Sequence, residues 1–159
     1  MQWNTTTIED FGHATKEILA IISDSYKEES SACVVCLSGD LGAGKTTMTQ
    51  LIAKELGVIE SLQSPTFVIK KIYNTQSEIF KKLIHMDAYR LEGEENIDML
   101  RLDEDFKIPN ALMMIEWPEM IETLIPENAI HIRIEHDNGG RIITLENKKL
   151  LRQFFCYLS

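Results

Sequence analysis

A chain of 159 residues with 44% hydrophobic content is long enough to bury a sizeable core and short enough that one domain, 1–159, is expected. Its 25 acidic residues against 16 basic ones leave a net charge of -9, which opposes non-specific attraction to a phosphate backbone, so any nucleic-acid role is expected to run through a partner. No apolar run approaches the roughly 20 residues that span a bilayer, and the opening MQWNTTTIED lacks the basic-then-apolar pattern of a secretion signal, so no membrane partner and a cytoplasmic location are expected.

In chain order, Thr7 to about Ser25 places Phe11, Ala14, Ile18, Ile21 and Ile22 at helical spacing, with Thr5, Thr6 or Thr7 available as cap. After KEESS comes the apolar run Ala32 to Leu37, which suits a strand covered on both faces. Thr46 to Leu56 carries Met48, Leu51, Ile52 and Leu56 on one helical stripe, and Gly57 is a natural stop. Thr66 to Tyr73 and Ile79 to Asp87 read as two strands of a hairpin around NTQSE, and EGEENIDMLRL reads as helix. Ala111 to Ile115 is a buried strand ending in Glu116, and Pro118 opens a short helix. Ala129 to Ile134 and Arg141 to Leu145 form a hairpin about Asp137-Asn138-Gly139-Gly140, and Lys148 to Leu158 is a terminal helix. The cysteine pair Cys33 and Cys36 lies inside a strand that sends residues three apart to opposite faces, and no second Cys/His pair completes a tetrahedral zinc site. Both are read as strand packing, with Cys156 left over in the tail.

The chemistry sits between the first apolar run and the helix after it. Gly39-Asp40-Leu41-Gly42-Ala43-Gly44-Lys45-Thr46 fits G-x-x-x-x-G-K-[ST] in full. At glycine usage near 7%, a chance match in a chain of this length is roughly a one-in-two-hundred event. The glycines let successive N–H groups point inward at a phosphate, and the helix beginning near Lys45 adds its positive end. Lys45 is placed to reach the β- and γ-phosphates, Thr46 to ligate magnesium and Thr47 to support an α-phosphate contact, while Ser38 and Asp40 frame the loop. ATP and Mg2+ are therefore the expected ligands.

Such a loop also needs carboxylates to hold the metal and orient water. Glu116 ends an apolar strand, where an acid is costly unless paired or coordinated. Asp87 ends another, on the same face as His85; for Asp87 a salt bridge with Arg90 or a turn cap competes with a catalytic role, and His85 alone is more often a packed strand residue than a base. Ser64-Pro65-Thr66-Phe67 follows the loop helix where nucleotide-switching proteins sense the γ-phosphate, although an ordinary turn explains that composition as well.

GDLGAGKTT, SPTF, HMDAYRL and IEWPE, in that order, resemble the TsaE family of bacterial ATPases that serve threonylcarbamoyladenosine modification of tRNA. The likeness runs from the opening helix to the Gly140-Arg141 hairpin. It implies an α/β, three-layer, P-loop NTPase-like fold whose central sheet is mostly parallel with an antiparallel edge. It further implies an ATPase that works with TsaB and TsaD and meets tRNA only through that complex. Carried over by position, the loop from Leu41 to Thr46 would bind ATP, Thr46 and Glu116 magnesium, Asp87 would assist hydrolysis or switching, and Trp117 would shape the site. Lys45, Asp87 and Glu116 are thus the catalytic candidates. Two positions depart from the family: Ile8 stands where a threonine near the adenine is usual, with Thr7 one step earlier, and Arg101 stands where a glycine precedes the acidic segment Leu102 to Phe106. Other readings stay open at this point. A small-molecule kinase would share the loop but wants an arginine-rich lid, and here the five arginines from Arg90 to Arg152 are scattered. A GTPase lacks its Asn-Lys-x-Asp, and an assembly module would use bound ATP with hydrolysis incidental.

Overall fold

The computed structural model describes residues 1–26, 30–62, 69–91 and 100–146. The expected terminal helix, the Ser64 to Phe67 segment and most of the expected 92–102 helix lie outside them.

Among the described residues, seven strands form one sheet: β1 (Gln2–Thr5), β2 (Cys33–Ser38), β3 (Lys70–Asn74), β4 (Lys82–Asp87), β5 (Ala111–Glu116), β6 (Ile130–Asp137) and β7 (Gly140–Glu146). Their spatial order is β1-β7-β6-β2-β5-β4-β3. The four central strands β6, β2, β5 and β4 run parallel, and antiparallel pairs β1/β7, β6/β7 and β3/β4 build both flanks. One antiparallel edge was expected; the sheet has two. The second contains β1, a strand that the sequence reading passes over.

Every residue of β5 is buried, as its uninterrupted apolar run requires of a strand with neighbours on both sides and cover on both faces. One face carries Val35, Leu37, Leu83, Leu112 and Met114 against α1 (Ile8–Ser25) and α2 (Lys45–Glu55). The other carries Val34, Cys36, Ile84, Met86, Met113 and Ile115, packed with Leu102 of α3 (Leu102–Asp105) and Ile121 of the 3-10 helix Pro118–Leu124. Cys33 and Cys36 fall on opposite faces, as strand alternation requires, and burial pushes the Cys36 thiol up to about 12, with Glu119 adding to the effect. A thiol so reluctant to ionise is packing, not redox chemistry.

α1 begins with a capping box. The Thr7 hydroxyl accepts from the Asp10 N–H at 3.0 Å and the Asp10 carboxylate accepts from the Thr7 N–H at 3.1 Å. α2 starts one residue earlier than expected, at Lys45, directly out of the glycine loop, and ends before Gly57, whose φ of 74° closes it. Of the expected strand pair around NTQSE, the second strand begins at Lys82 rather than Ile79, because Ser77 and Thr75 hydroxyls hold the link as a turn, and residues 66–68 of the first lie outside the described residues. At the Leu102 segment, Arg101 takes up φ 51°, ψ 41°. That is the left-handed region, which explains why a glycine suits this position and what the arginine costs there.

Candidate functional site

Parallel strands deliver their C-terminal ends to one edge, and the crevice outside that edge is where open α/β sheets bind ligands. In register, Leu37 of β2 lies beside Glu116 of β5, and Glu116 lies beside Asp87 of β4. Strand alternation turns His85, Asp87 and Glu116 toward the face that carries α2.

The loop from Gly39 to Gly44 leaves β2 and runs into α2. Gly39 adopts φ 142°, and a Cβ there would stand 2.1 Å from the Ile134 carbonyl oxygen, so only glycine allows the loop to rest against β6. Within the loop the Ala43 N–H donates to the Asp40 carbonyl at 3.1 Å, and the left-handed Gly44 is the residue that caps α2. Leu41 at the apex is 84% exposed. Lys45 is buried. Its ammonium donates to the carbonyls of Gly39 and Asp40 (2.9 Å for the latter) and stands 3.9 Å over the Trp117 ring. Burial holds this ammonium below its ordinary value, opposed by the carboxylates of Glu116, Glu119, Asp87 and Asp40.

Glu116, 3% exposed, has both oxygens engaged. The Thr46 hydroxyl donates to Oε2 at 2.9 Å, and His85 Nε2 lies 2.7 Å from Oε1. A buried carboxylate between a hydroxyl and an imidazole has the partners that burial demands. Thr46 Oγ1 and Glu116 Oε2 are hard oxygen donors of the kind magnesium takes, so the pair fits that ion. Among the described residues, no group of three or more His, Cys, Asp and Glu could hold a metal. An ion here would complete its shell with phosphate and water.

Asp87, also buried, accepts from the Tyr89 N–H at 3.0 Å, which is the turn-cap contact anticipated for it, while its strand neighbour remains Glu116. Trp117 has φ 58°, a strained conformation for an aromatic residue, held by its N–H to the Leu37 carbonyl at 3.2 Å and by the Tyr89 ring 5.1 Å away.

On the other side of the loop, a cleft of about 250 Å³ opens between the N-terminal segment and the β6–β7 hairpin, its walls including Thr5, Thr7, Ile8, Phe11, Thr47 and Arg141. The Arg141 guanidinium ties the hairpin to the loop. Nε donates to the Ala43 carbonyl at 2.9 Å, Nη1 to the Gly140 carbonyl at 2.7 Å and Nη2 to the Gly42 carbonyl at 3.4 Å. Thr47 thus faces this cleft while Thr46 faces Glu116.

All of the residues singled out between Gly39 and Thr47 come together here with Asp87, Glu116 and Trp117. Sequence reasoning missed Arg141 as a site residue, and it read His85 as a packed strand residue, which is how the structure places it, buried and hydrogen-bonded to Glu116. Arg141 carries no local signal. His85 carried one, its shared face with Asp87, but the partner that gives it meaning is on another strand.

A strand, a glycine loop with lysine and threonine at its end, a helix, and a strand-end acid beside the threonine define a P-loop nucleotide-binding fold. The family model described as "Threonylcarbamoyl adenosine biosynthesis protein TsaE" matches residues 9–143. The chain belongs to the TsaE family. The Bacillus subtilis relative, a tRNA threonylcarbamoyladenosine biosynthesis protein TsaE, is 37% identical over 135 residues, covering 85% of this chain and 77% of its own length. The Haemophilus influenzae protein of that name is 32% identical, covering 85% and 80%. Among solved structures, the crystal structure of Bacillus subtilis YdiB aligns with a TM-score of 0.67 at 28% identity, covering 100% of this chain and 96% of that one. No helix among the described residues is long and apolar enough to cross a membrane.

Proposed function

We propose that this chain binds ATP with magnesium and hydrolyses it as the accessory ATPase of threonylcarbamoyladenosine synthesis on tRNA. In this reading it acts in the cytoplasm with TsaB and TsaD homologues and meets tRNA only through their complex. The observation that carries the proposal is the Glu116 carboxylate, buried 2.9 Å from the Thr46 hydroxyl and in register with Asp87 at the mouth of the phosphate loop. The pathway rests on the names of the relatives, each a biosynthesis protein for this modification.

The chain's own groups divide the work. Backbone N–H groups between Leu41 and Thr46, apart from that of Ala43, which donates to Asp40, hold the phosphates, aided by the positive end of α2. Lys45 spends two of its three N–H donors on Gly39 and Asp40 and has the third for a phosphate oxygen. Thr46 and Glu116 would hold magnesium, which when bound neutralises charge on the β- and γ-phosphate oxygens. Asp87 assists hydrolysis by orienting water or by sensing the phosphate. Trp117 covers the Lys45 ammonium and limits water around it. The cleft beside Thr47 takes the ribose and base, with Phe11 as an apolar wall and Arg141 fixing the loop's back.

Glu116→Ala and Asp87→Ala test the proposal. Both should bind ATP, lose hydrolysis by roughly 100-fold or more, and fail to sustain repeated tRNA modification with TsaB and TsaD. Variants that lose hydrolysis and still support many rounds of modification would show that nucleotide occupancy, not turnover, is what the partners use. Lys45→Ala binding ATP as tightly as the parent would remove the cradle itself.

A further inference from the structure

His85 is fully buried in β4, and its one hydrogen-bond partner among the described residues is Glu116. A carboxylate only accepts, so the hydrogen of that contact sits on Nε2. The other ring nitrogen, Nδ1, is buried without a partner among the described residues. A buried, unsatisfied nitrogen costs stability. An apolar side chain, such as Leu83 two residues earlier on the same face, would carry no such cost. Packing alone therefore gives no reason for imidazole at this position, whose one gain is to keep the buried Glu116 oxygen paired. Nor does proton transfer to substrate, because the ring has no exposed surface and Glu116 lies between it and the Thr46 hydroxyl.

What the ring does is fix a carboxylate. Thr46 holds one Glu116 oxygen, but the α2 hydroxyl would itself turn to an ion, and a carboxylate anchored at one end is free to swing about its terminal bond. The 2.7 Å contact from β4 anchors the other oxygen from a neighbouring strand, across the face of the sheet. We propose that His85 is the positioning residue for the Glu116 carboxylate: it sets the orientation in which Oε2 meets magnesium, and it is not itself a ligand or base. The proposal rests on the reading that Glu116 binds that ion.

The test follows binding of a nonhydrolysable ATP analogue by calorimetry, with Mg2+ and with EDTA, for the parent, His85→Leu, His85→Asn, His85→Gln and Glu116→Gln. Outer-shell partners of this kind are worth about 10- to 100-fold in metal affinity. His85→Leu and His85→Asn should lower the Mg2+-dependent gain in affinity by that factor with EDTA affinity near the parent's, and both should melt below the parent because a buried Glu116 oxygen loses its partner. Glutamine places its amide nitrogen near the Nε2 position, whereas asparagine is too short, so His85→Gln should restore the gain. The Gln and Asn pair decides the matter even where His85→Leu fails to fold. A parental Mg2+ gain in His85→Leu or His85→Asn, or an equal loss with and without Mg2+, would overturn the proposal alone. A parent without any Mg2+ gain, or Glu116→Gln keeping it, would overturn the magnesium assignment and this proposal with it.

Discussion

The sharpest structural demand in the phosphate loop is at Gly39, and it can be separated from the general intolerance of such loops. In Gly39→Ala the new methyl would stand 2.1 Å from the Ile134 carbonyl oxygen and 3.3 Å from the Ala43 Cβ, on a backbone with φ 142°. The dihedral costs about 1–3 kcal/mol, and the backbone shift that relieves the clash costs about 1–3 kcal/mol more, a total of roughly 2–6 kcal/mol. Gly42, three residues on, has φ 77° and nothing within 4 Å of its would-be Cβ, so Gly42→Ala should cost only the left-handed penalty, about 1–2 kcal/mol. For a chain of this size each kcal/mol is about 2–4 °C in melting temperature. Urea unfolding at equilibrium, followed by circular dichroism, gives both midpoints, and the slopes should match the parent's because neither change alters the surface exposed. Equal midpoints for the two variants would refute the reasoning, since the close approach of the loop to β6 is the largest difference between the two positions.

Three other perturbations have definite signs. Because burial lowers the Lys45 ammonium below 10.5, the unfolded chain holds a proton that the folded chain releases first; as pH rises toward 10.5 the parent should gain stability relative to Lys45→Met, and a flat difference in denaturation midpoints would rule out the buried charge. Arg141→Ala removes the contacts to the Gly42 and Ala43 carbonyls and should weaken nucleotide binding by about tenfold, measured by calorimetry, at little cost to folding because the guanidinium is partly exposed. Lys70→Ala strips Asp105 of its ion-pair partner and the Leu100 carbonyl of a donor, and should cost roughly 2–4 kcal/mol in denaturant unfolding, toward the low end for a buried pair because Lys70 is partly exposed.

The legible parts of this molecule were those written in one stretch of chain. The phosphate loop is eight consecutive residues, and Glu116 declares itself because four large apolar residues precede it in a strand with no polar face. β1 was invisible for the opposite reason: QWNT is short and half exposed, and the strand it pairs with, β7, begins at residue 140. Arg141 reaches the loop only because β7 lies beside β6 and β6 beside β2, an order that no local pattern states. His85 shows the boundary most clearly. Alternation placed it on the face of Asp87, but its value depends on β4 lying next to β5 in a register that brings it within reach of Glu116.

The charges around the loop also determine how the site must respond to a divalent ion. One buried ammonium, Lys45, stands among four carboxylates, those of Glu116, Glu119, Asp87 and Asp40, in a chain already at -9. A triphosphate brings more negative charge into this setting, so without a metal Glu116 opposes the nucleotide it is proposed to serve. Removing one like charge several Å away, at an effective dielectric near 20, is worth on the order of 2 kcal/mol. Glu116→Gln should therefore bind ATP about tenfold or more tightly than the parent in EDTA, and lose that advantage once Mg2+ is supplied. A change of the same sign in both conditions would mean that Glu116 acts as a structural strut beneath Thr46, because a strut has no reason to repel the phosphate in one solution and attract it through an ion in the other.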